Sequence, residues 1–289
     1  PQPPVLGGPP PPLAVRLESA VEEALLERVE GLVRHVEAEG DPELVGQTRN
    51  FGEEHKYEGG HSVIFLHTHA DSQAPGLVDL LWGLGTKADA KAGWGIGPAF
   101  AGSGRPGLRC LELIEYFAKP GAADAPEAPE TPLSNSLGWH TDGHTLLTVA
   151  VLISRPGADF VGGGLEVRRR DGDGERHESF APVRGDAVVW RGWDYHRVRP
   201  VSAGLRRVLV AEFWEGPDVA GTETRLMDFE EGFRGAVLLD PSSAYLHRHL
   251  AWKLYDREEL DGAAESCVFG LAADPSDVDL PGLLAMVRQ

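Results

Sequence analysis

Cysteine is scarce in this chain. Only Cys110 and Cys267 occur, too far apart for a zinc or redox spacing and too few for a disulfide framework, so both are expected as small buried hydrophobes in a reducing compartment. No apolar run approaches the roughly 20 residues of a membrane span. The first residues also lack the basic and apolar blocks of a secretory signal, so the expectation is a cytoplasmic protein with no membrane partner. Positive charge is short as well: 27 Lys and Arg stand against 45 Asp and Glu, a net charge of −18. Such a field repels phosphate backbones and excludes nucleic acid as the expected partner, while it suits a basic peptide.

Proline and glycine, by contrast, are abundant, and they punctuate the chain. "PQPPVLGGPPPPL", residues 1–13, carries too little apolar surface to order itself, and 1–18 is read as a leader or linker. Residues 19–235 are expected to form one large domain and 236–289 a C-terminal helical hairpin. Val21, Leu25, Val29, Leu32, Val33 and Val36 recur at helical spacing behind a capping box of Ser19 and Glu22. "SVIFLHTHA", 62–70, has strand composition, "GLVDLLWGL", 76–84, reads as a short helix, and "LRCLELIEYF", 108–117, as a strand. The Pro/Ala-rich loop 119–137 is a candidate lid. From 145 to 214 the period is two, with Gly, Pro and Asp between short runs, which predicts an antiparallel sandwich or barrel. Residues 243–279 read as two helices joined around Arg257–Asp261. They partly match a tetratricopeptide repeat, with Cys267 and Gly270 off pattern, and offer at most one protein-contact surface.

The chemistry concentrates in "GWHTDGHTLLTVAV", residues 138–151. His140, Asp142 and His144 are spaced to share one strand face, but three ligands within five residues would have to bend around one ion, so His140 and Asp142 are taken as the pair. An imidazole and a carboxylate two apart, completed by a distant histidine, make the facial triad of non-haem Fe(II) sites, which leaves open positions. His177 sits near an Asp/Gly turn and reads as solvated; His196 is the better third ligand. A hairpin centred on Val201 would set Arg206 opposite His196, with Cβ atoms roughly 5 Å apart. A metal and a guanidinium in one cavity suit a small dicarboxylate.

At these residues the sequence resembles the Fe(II)- and 2-oxoglutarate-dependent oxygenases, in particular the prolyl 4-hydroxylase and lysyl hydroxylase branch. The likeness covers about 108–214: His140 and Asp142, the glycine-rich "GGGLEV" strand at 162–167, then His196 with Arg206 ten residues on. It implies a double-stranded β-helix core with flanking helices, Fe(II) on His140, Asp142 and His196, and Arg206 on the distal carboxylate of 2-oxoglutarate. Tyr116, and more weakly Thr148, would assist Arg206. The cosubstrates implied are 2-oxoglutarate and O2, with ascorbate as an accessory reductant, and the products are succinate, CO2 and a hydroxylated substrate. Because Asp142 retains the carboxylate that halogenating relatives lack, hydroxylation is expected. The substrate most like the family's is a peptidyl prolyl or lysyl side chain; a free amino acid or small metabolite is the alternative. Departures are Arg207 and Leu152, where some relatives carry tyrosines.

Two other readings compete. A metal-binding barrel without turnover could act as a scaffold, although it would have no use for a buried cosubstrate arginine. "FLHTHADS", 65–72, is similar to the histidine run of metallo-β-lactamase-type hydrolases, with His67, His69 and Asp71 as ligands and Ser72 in place of the last histidine. Trp190 and Trp193 flank the distal histidine, where packing over the site and plain core burial are equally compatible with the sequence.

Overall fold

The computed structural model describes residues 10–41, 44–45, 61–99, 104–118, 135–143, 145–171, 174–219 and 231–288. The loop 119–137, a candidate lid, lies outside the described residues as far as residue 134, and so does His144. The elements run β1 (Ala14–Leu17), α1 (Glu23–Glu39), β2 (His61–Phe65), α2 (His67–Gln73), α3 (Leu77–Ala92), α4 (Ile96–Ala99), β3 (Gly107–Phe117), β4 (Leu137–His140), β5 (Thr145–Leu152), β6 (Phe160–Gly162), β7 (Leu165–Asp171), β8 (Gly174–Phe180), β9 (Ala187–Arg191), β10 (Tyr195–Val198) and β11 (Val201–Trp214). Four helices follow: α5 (Glu231–Leu239), α6 (Ala244–Asp256), α7 (Leu260–Ala273) and α8 (Leu280–Val287).

The protein is mainly β with flanking helices. A large sheet has the order β1-β9-β5-β11-β3-β2, with β6 on the first residues of β11, and a small sheet has the order β4-β10-β7-β8. The strands pair antiparallel. The inner faces of both sheets line one interior cavity, the arrangement of a double-stranded β-helix. Alternation along each strand decides what enters that interior. On β3 the positions Glu112, Ile114 and Tyr116 face in, and on β11 the positions Arg206, Val208, Val210 and Glu212 do so. The opposite face of the large sheet is covered by α3, whose Leu77, Leu81, Leu84 and Ala88 are buried and whose Trp82 ring lies 5.3 Å from that of Phe213. Burying each such leucine stabilises the sandwich by roughly 1.5–3 kcal/mol.

Several expectations are corrected. The fold begins before residue 19: Leu13 is fully buried, and β1 pairs with β9 from Ala14 opposite Trp190 to Leu17 opposite Ala187. Ser19 caps nothing. Its backbone amide donates to Asp186 Oδ1 at 2.8 Å, and α1 starts at Glu23 without a side-chain cap. The strand read at 62–70 ends at Phe65, and His67–Gln73 is helical. The helix at 76–84 continues to Ala92, because Leu84, Ala88 and Ala92 extend its buried stripe at i, i+4 spacing.

The two helices read at 243–279, joined around Arg257–Asp261, are α6 and α7, and α5 and α8 flank them. Gly270 is required where α7 crosses its neighbours, since a Cβ there would lie 2.6 Å from Leu280 Cδ1 and 3.1 Å from His247 Cβ. The helices are fastened to the β core by a buried ionic cluster. Asp240, between α5 and α6, accepts from Arg169 Nη2 at 2.8 Å, Arg191 Nη1 at 3.2 Å and Trp193 Nε1 at 2.8 Å. Asp194 closes the cluster against Arg191 at 2.8 Å and Arg169 at 3.5 Å. Trp193, one of the two tryptophans beside the distal histidine, thus serves this joint.

Candidate metal and cosubstrate site

His140 ends β4, and its direct cross-strand partner on β10 is His196, so pairing alone sets the two rings together, with centroids 4.1 Å apart. Asp142 follows β4, outside the strand. Its backbone amide donates to Gly192 O at 2.8 Å, which turns its carboxylate toward the rings. Asp142 Oδ1 lies 3.8 Å from His140 Nε2 and 3.4 Å from His196 Nε2. One ligand atom from each residue falls within 4.8 Å of the others. This is the donor set for a first-row divalent ion: two imidazoles and one carboxylate, with space left for exogenous ligands.

The surroundings fix both the orientation and the tautomer of these donors. His140 Nδ1 lies 2.8 Å from Gly138 O, and His196 Nδ1 lies 3.3 Å from Asp194 O. In the neutral imidazole, donation from each Nδ1–H leaves a lone pair on Nε2, on the side of the shared centre. The second oxygen of Asp142 accepts from the Thr148 hydroxyl and, at 3.1 Å, from Trp190 Nε1. Burial pushes the Asp142 carboxyl up, but His196, His140 and the Thr148 hydroxyl outweigh it, and the group stays ionised well below the usual carboxylate range. The Trp190 ring also packs 4.7 Å from that of His196, so this tryptophan belongs to the site.

Arg206 lies in the same cavity, but not by the hairpin expected. His196 is on β10 in the small sheet. The chain then crosses at Arg199 and Pro200 into the large sheet, where Arg206 pairs with Tyr116 on β3. The two residues face one interior from opposite sheets, because β11 changes partners after Gly204 and its inward phase points at β10. The guanidinium carbon sits 5.2 Å from the centre of the Tyr116 ring. Arg206 is almost completely buried, and its Nη1 has no hydrogen-bond partner among the described residues. Burial lowers its pKa, which Tyr116 only partly offsets. Gly163 makes room for it: a Cβ there would stand 2.7 Å from Arg206 Cδ. That contact, together with a left-handed φ of +67°, accounts for glycine at 163.

Thr148 is corrected. Its hydroxyl is engaged by Asp142, so it orients that carboxylate of the candidate triad rather than reaching for a cosubstrate. His177 sits on β8, half exposed, with Nε2 3.5 Å from Glu166, away from the triad. Arg207 points to the other face of β11 and pairs with Glu115 at 3.0 Å. The hydrolase reading fails on geometry. On the helix α2, His67 and His69 project about 200° apart and cannot converge on one ion.

Sequence reasoning missed four contributors. Glu112 and Glu212 line the cavity and are buried, and Arg109 Nη1 donates to Glu212 and, at 3.3 Å, to the carbonyl of Asp142. The signal was present: Glu112 is in phase with Tyr116, and Glu212 with Arg206, so each is a charge on a strand face that turns inward. Tyr245 on α6 left no such signal. Its hydroxyl accepts from Thr141 Oγ1 at 2.9 Å, and Thr141 lies between His140 and Asp142. Tyr245→Phe is expected to keep the fold and weaken Fe(II) binding about tenfold, as loss of an outer hydrogen bond to a ligand segment does; anaerobic titration of both proteins measures it.

Residues 131–215 match the sequence model of the 2OG-Fe(II) oxygenase superfamily, and the match contains His140, Asp142, His196 and Arg206. No curated protein matches the chain. Among solved structures, the chain is similar to an oxidoreductase of the 2OG-Fe(II) oxygenase family from Burkholderia pseudomallei, at 18% identity over 72% of this chain and 87% of that one, with a TM-score of 0.44. It is similar to a Pseudomonas putida prolyl-4-hydroxylase at 16% identity over 70% and 92%, with a TM-score of 0.45. A third similarity is to a Trichoplax adhaerens prolyl hydroxylase, at 10% identity over 75% and 87%, with a TM-score of 0.46.

Proposed function

We propose that the protein is an Fe(II)- and 2-oxoglutarate-dependent oxygenase that hydroxylates a substrate C–H bond. The observation that carries this reading is Arg206: a buried cation whose Nη1 has no hydrogen-bond partner among the described residues, in one cavity with a two-histidine, one-carboxylate donor set. A buried cation with an unsatisfied donor is costly unless a ligand completes it, and a dicarboxylate would complete this one while also reaching a metal. Bound there, Fe(II) and 2-oxoglutarate would supply the oxidation, with O2 consumed, CO2 and succinate released and hydroxyl delivered to carbon. His140 and His196 hold their Nε2 atoms inward through backbone carbonyls. Asp142 is oriented by hydrogen bonds from Thr148 and Trp190, and the apolar Ile114, Val208 and Val210 keep water from the arginine end.

The finer reading, hydroxylation of a peptidyl prolyl or lysyl side chain, is supported by the "GGGLEV" and His-x-Asp motifs. Its test is succinate release over panels of prolyl peptides, lysyl peptides and free amino acids, with and without ascorbate. For the class itself, anaerobic addition of Fe(II) and 2-oxoglutarate to the metal-free protein is expected to raise the weak visible charge-transfer band of the chelate. His140→Ala should lose the band and at least about 100-fold in succinate formation. An intact, folded protein that gives no band would leave the scaffold reading in its place.

A further inference from the structure

The "FLHTHADS" run has a different destination from the one its pattern suggests. His35 and Glu39 stand one turn apart on α1, so they share a face, and α2 brings His69 against them. His35 Nε2 lies 3.1 Å from Glu39 Oε1, and His69 Nε2 lies 3.3 Å from Glu39 Oε2. The two imidazoles meet edge to face, with centroids 5.4 Å apart. One donor atom from each of the three residues falls within 4.8 Å of the others. The side chains are 36%, 46% and 21% exposed for His35, Glu39 and His69, so the cluster opens to solvent on one side.

We infer that His35, Glu39 and His69 form a second metal site, separate from the central triad, for a borderline divalent ion of the zinc class. Two imidazoles and one carboxylate select against calcium and magnesium, which take oxygen donors, and suit zinc with water in the remaining position. The ligands come from two helices, so a bound ion would staple α1 to α2. That helix follows directly from β2, whose last residue, Phe65, pairs with Glu112 on β3. The staple would therefore brace the edge of the large sheet at the Glu112 end of β3, away from Tyr116 and Arg206. No part of this inference depends on what the central site does.

The test is zinc titration of the metal-free full chain by calorimetry, with cobalt absorption as a second readout. The wild type is expected to bind two equivalents. His35→Ala and Glu39→Gln, both at solvent-facing positions, should each lose one equivalent or weaken it at least about tenfold. His140→Ala should retain the α1–α2 equivalent, together with the metal-induced rise in thermal midpoint. Unchanged circular dichroism in the absence of metal shows that the variants fold. If His35→Ala and Glu39→Gln bind as much zinc, as tightly, as the wild type, or if His140→Ala binds none, the site is overturned and the three side chains are only hydrogen-bonded.

Discussion

Replacing Arg206 with methionine is expected to weaken 2-oxoglutarate binding severely while making the ligand-free protein more stable. The guanidinium is buried, its Nη1 has no partner among the described residues, and burial drives its pKa down. A charge held in this way opposes folding, and methionine keeps an unbranched apolar stem beside Tyr116 without it. Removing it should add about 1–3 kcal/mol to the unfolding free energy of the metal-free protein. Loss of the charge-assisted pairing should weaken 2-oxoglutarate by about 100-fold or more. Urea denaturation reads the first effect and chelate-band titration the second. A variant that binds 2-oxoglutarate normally would remove Arg206 from the site. One that is less stable would show that the arginine serves the fold instead.

Asp240→Asn should have the largest effect on stability, with a loss of about 3–5 kcal/mol in urea denaturation at neutral pH. The substitution removes one of two carboxylates that neutralise Arg169 and Arg191, and leaves excess positive charge buried between the β core and α6. Burial alone would raise the Asp240 pKa, but Arg169, Arg191 and the Trp193 indole outweigh it and hold the carboxyl well below the ordinary range. A depressed folded value means that its contribution is fully present above about pH 3.9 and is lost as pH falls below that. Wild-type stability should therefore decline from about pH 4 downward, and the asparagine variant should lack that part of the decline. Asp194 has the opposite sign, since burial raises its pKa. Comparing the two proteins, rather than reading the wild-type curve alone, isolates Asp240. An unchanged midpoint in Asp240→Asn would mean that the helices dock through apolar contacts.

How far the site was legible depends on whether its signal is local. His140 and Asp142 are two residues apart in a run whose period changes to two, and the pattern of "TLLTVAVL" suffices to put a strand after them. Period two also identified β5 and β7 to β11 to within a few residues of their ends, because successive side chains of a strand point to opposite faces of its sheet. The same rule, applied to charged as well as apolar positions, would have found Glu112 and Glu212. The route by which His196 and Arg206 meet was misjudged for a related reason. Local pattern gives each strand's phase but not its partner, and a hairpin and a crossing between sheets have the same turn residues at Arg199–Gly204.

The sequence by itself determined the donor types, the inward phase of Arg206 and Tyr116, and the antiparallel β character of the core, since all of these follow from spacing along one strand. Tertiary structure alone decided which distant residues complete them. It turned the Thr148 hydroxyl onto Asp142, drew the Trp190 indole to the same carboxylate, and hung Tyr245 on Thr141 from a helix more than a hundred residues downstream. It also gave His69 to His35 and Glu39, because a helix separates His67 from His69 by about 200° where a strand would have aligned them. Periodicity is a property of one segment. Convergence depends on how segments bury their faces against each other, and no single segment encodes that.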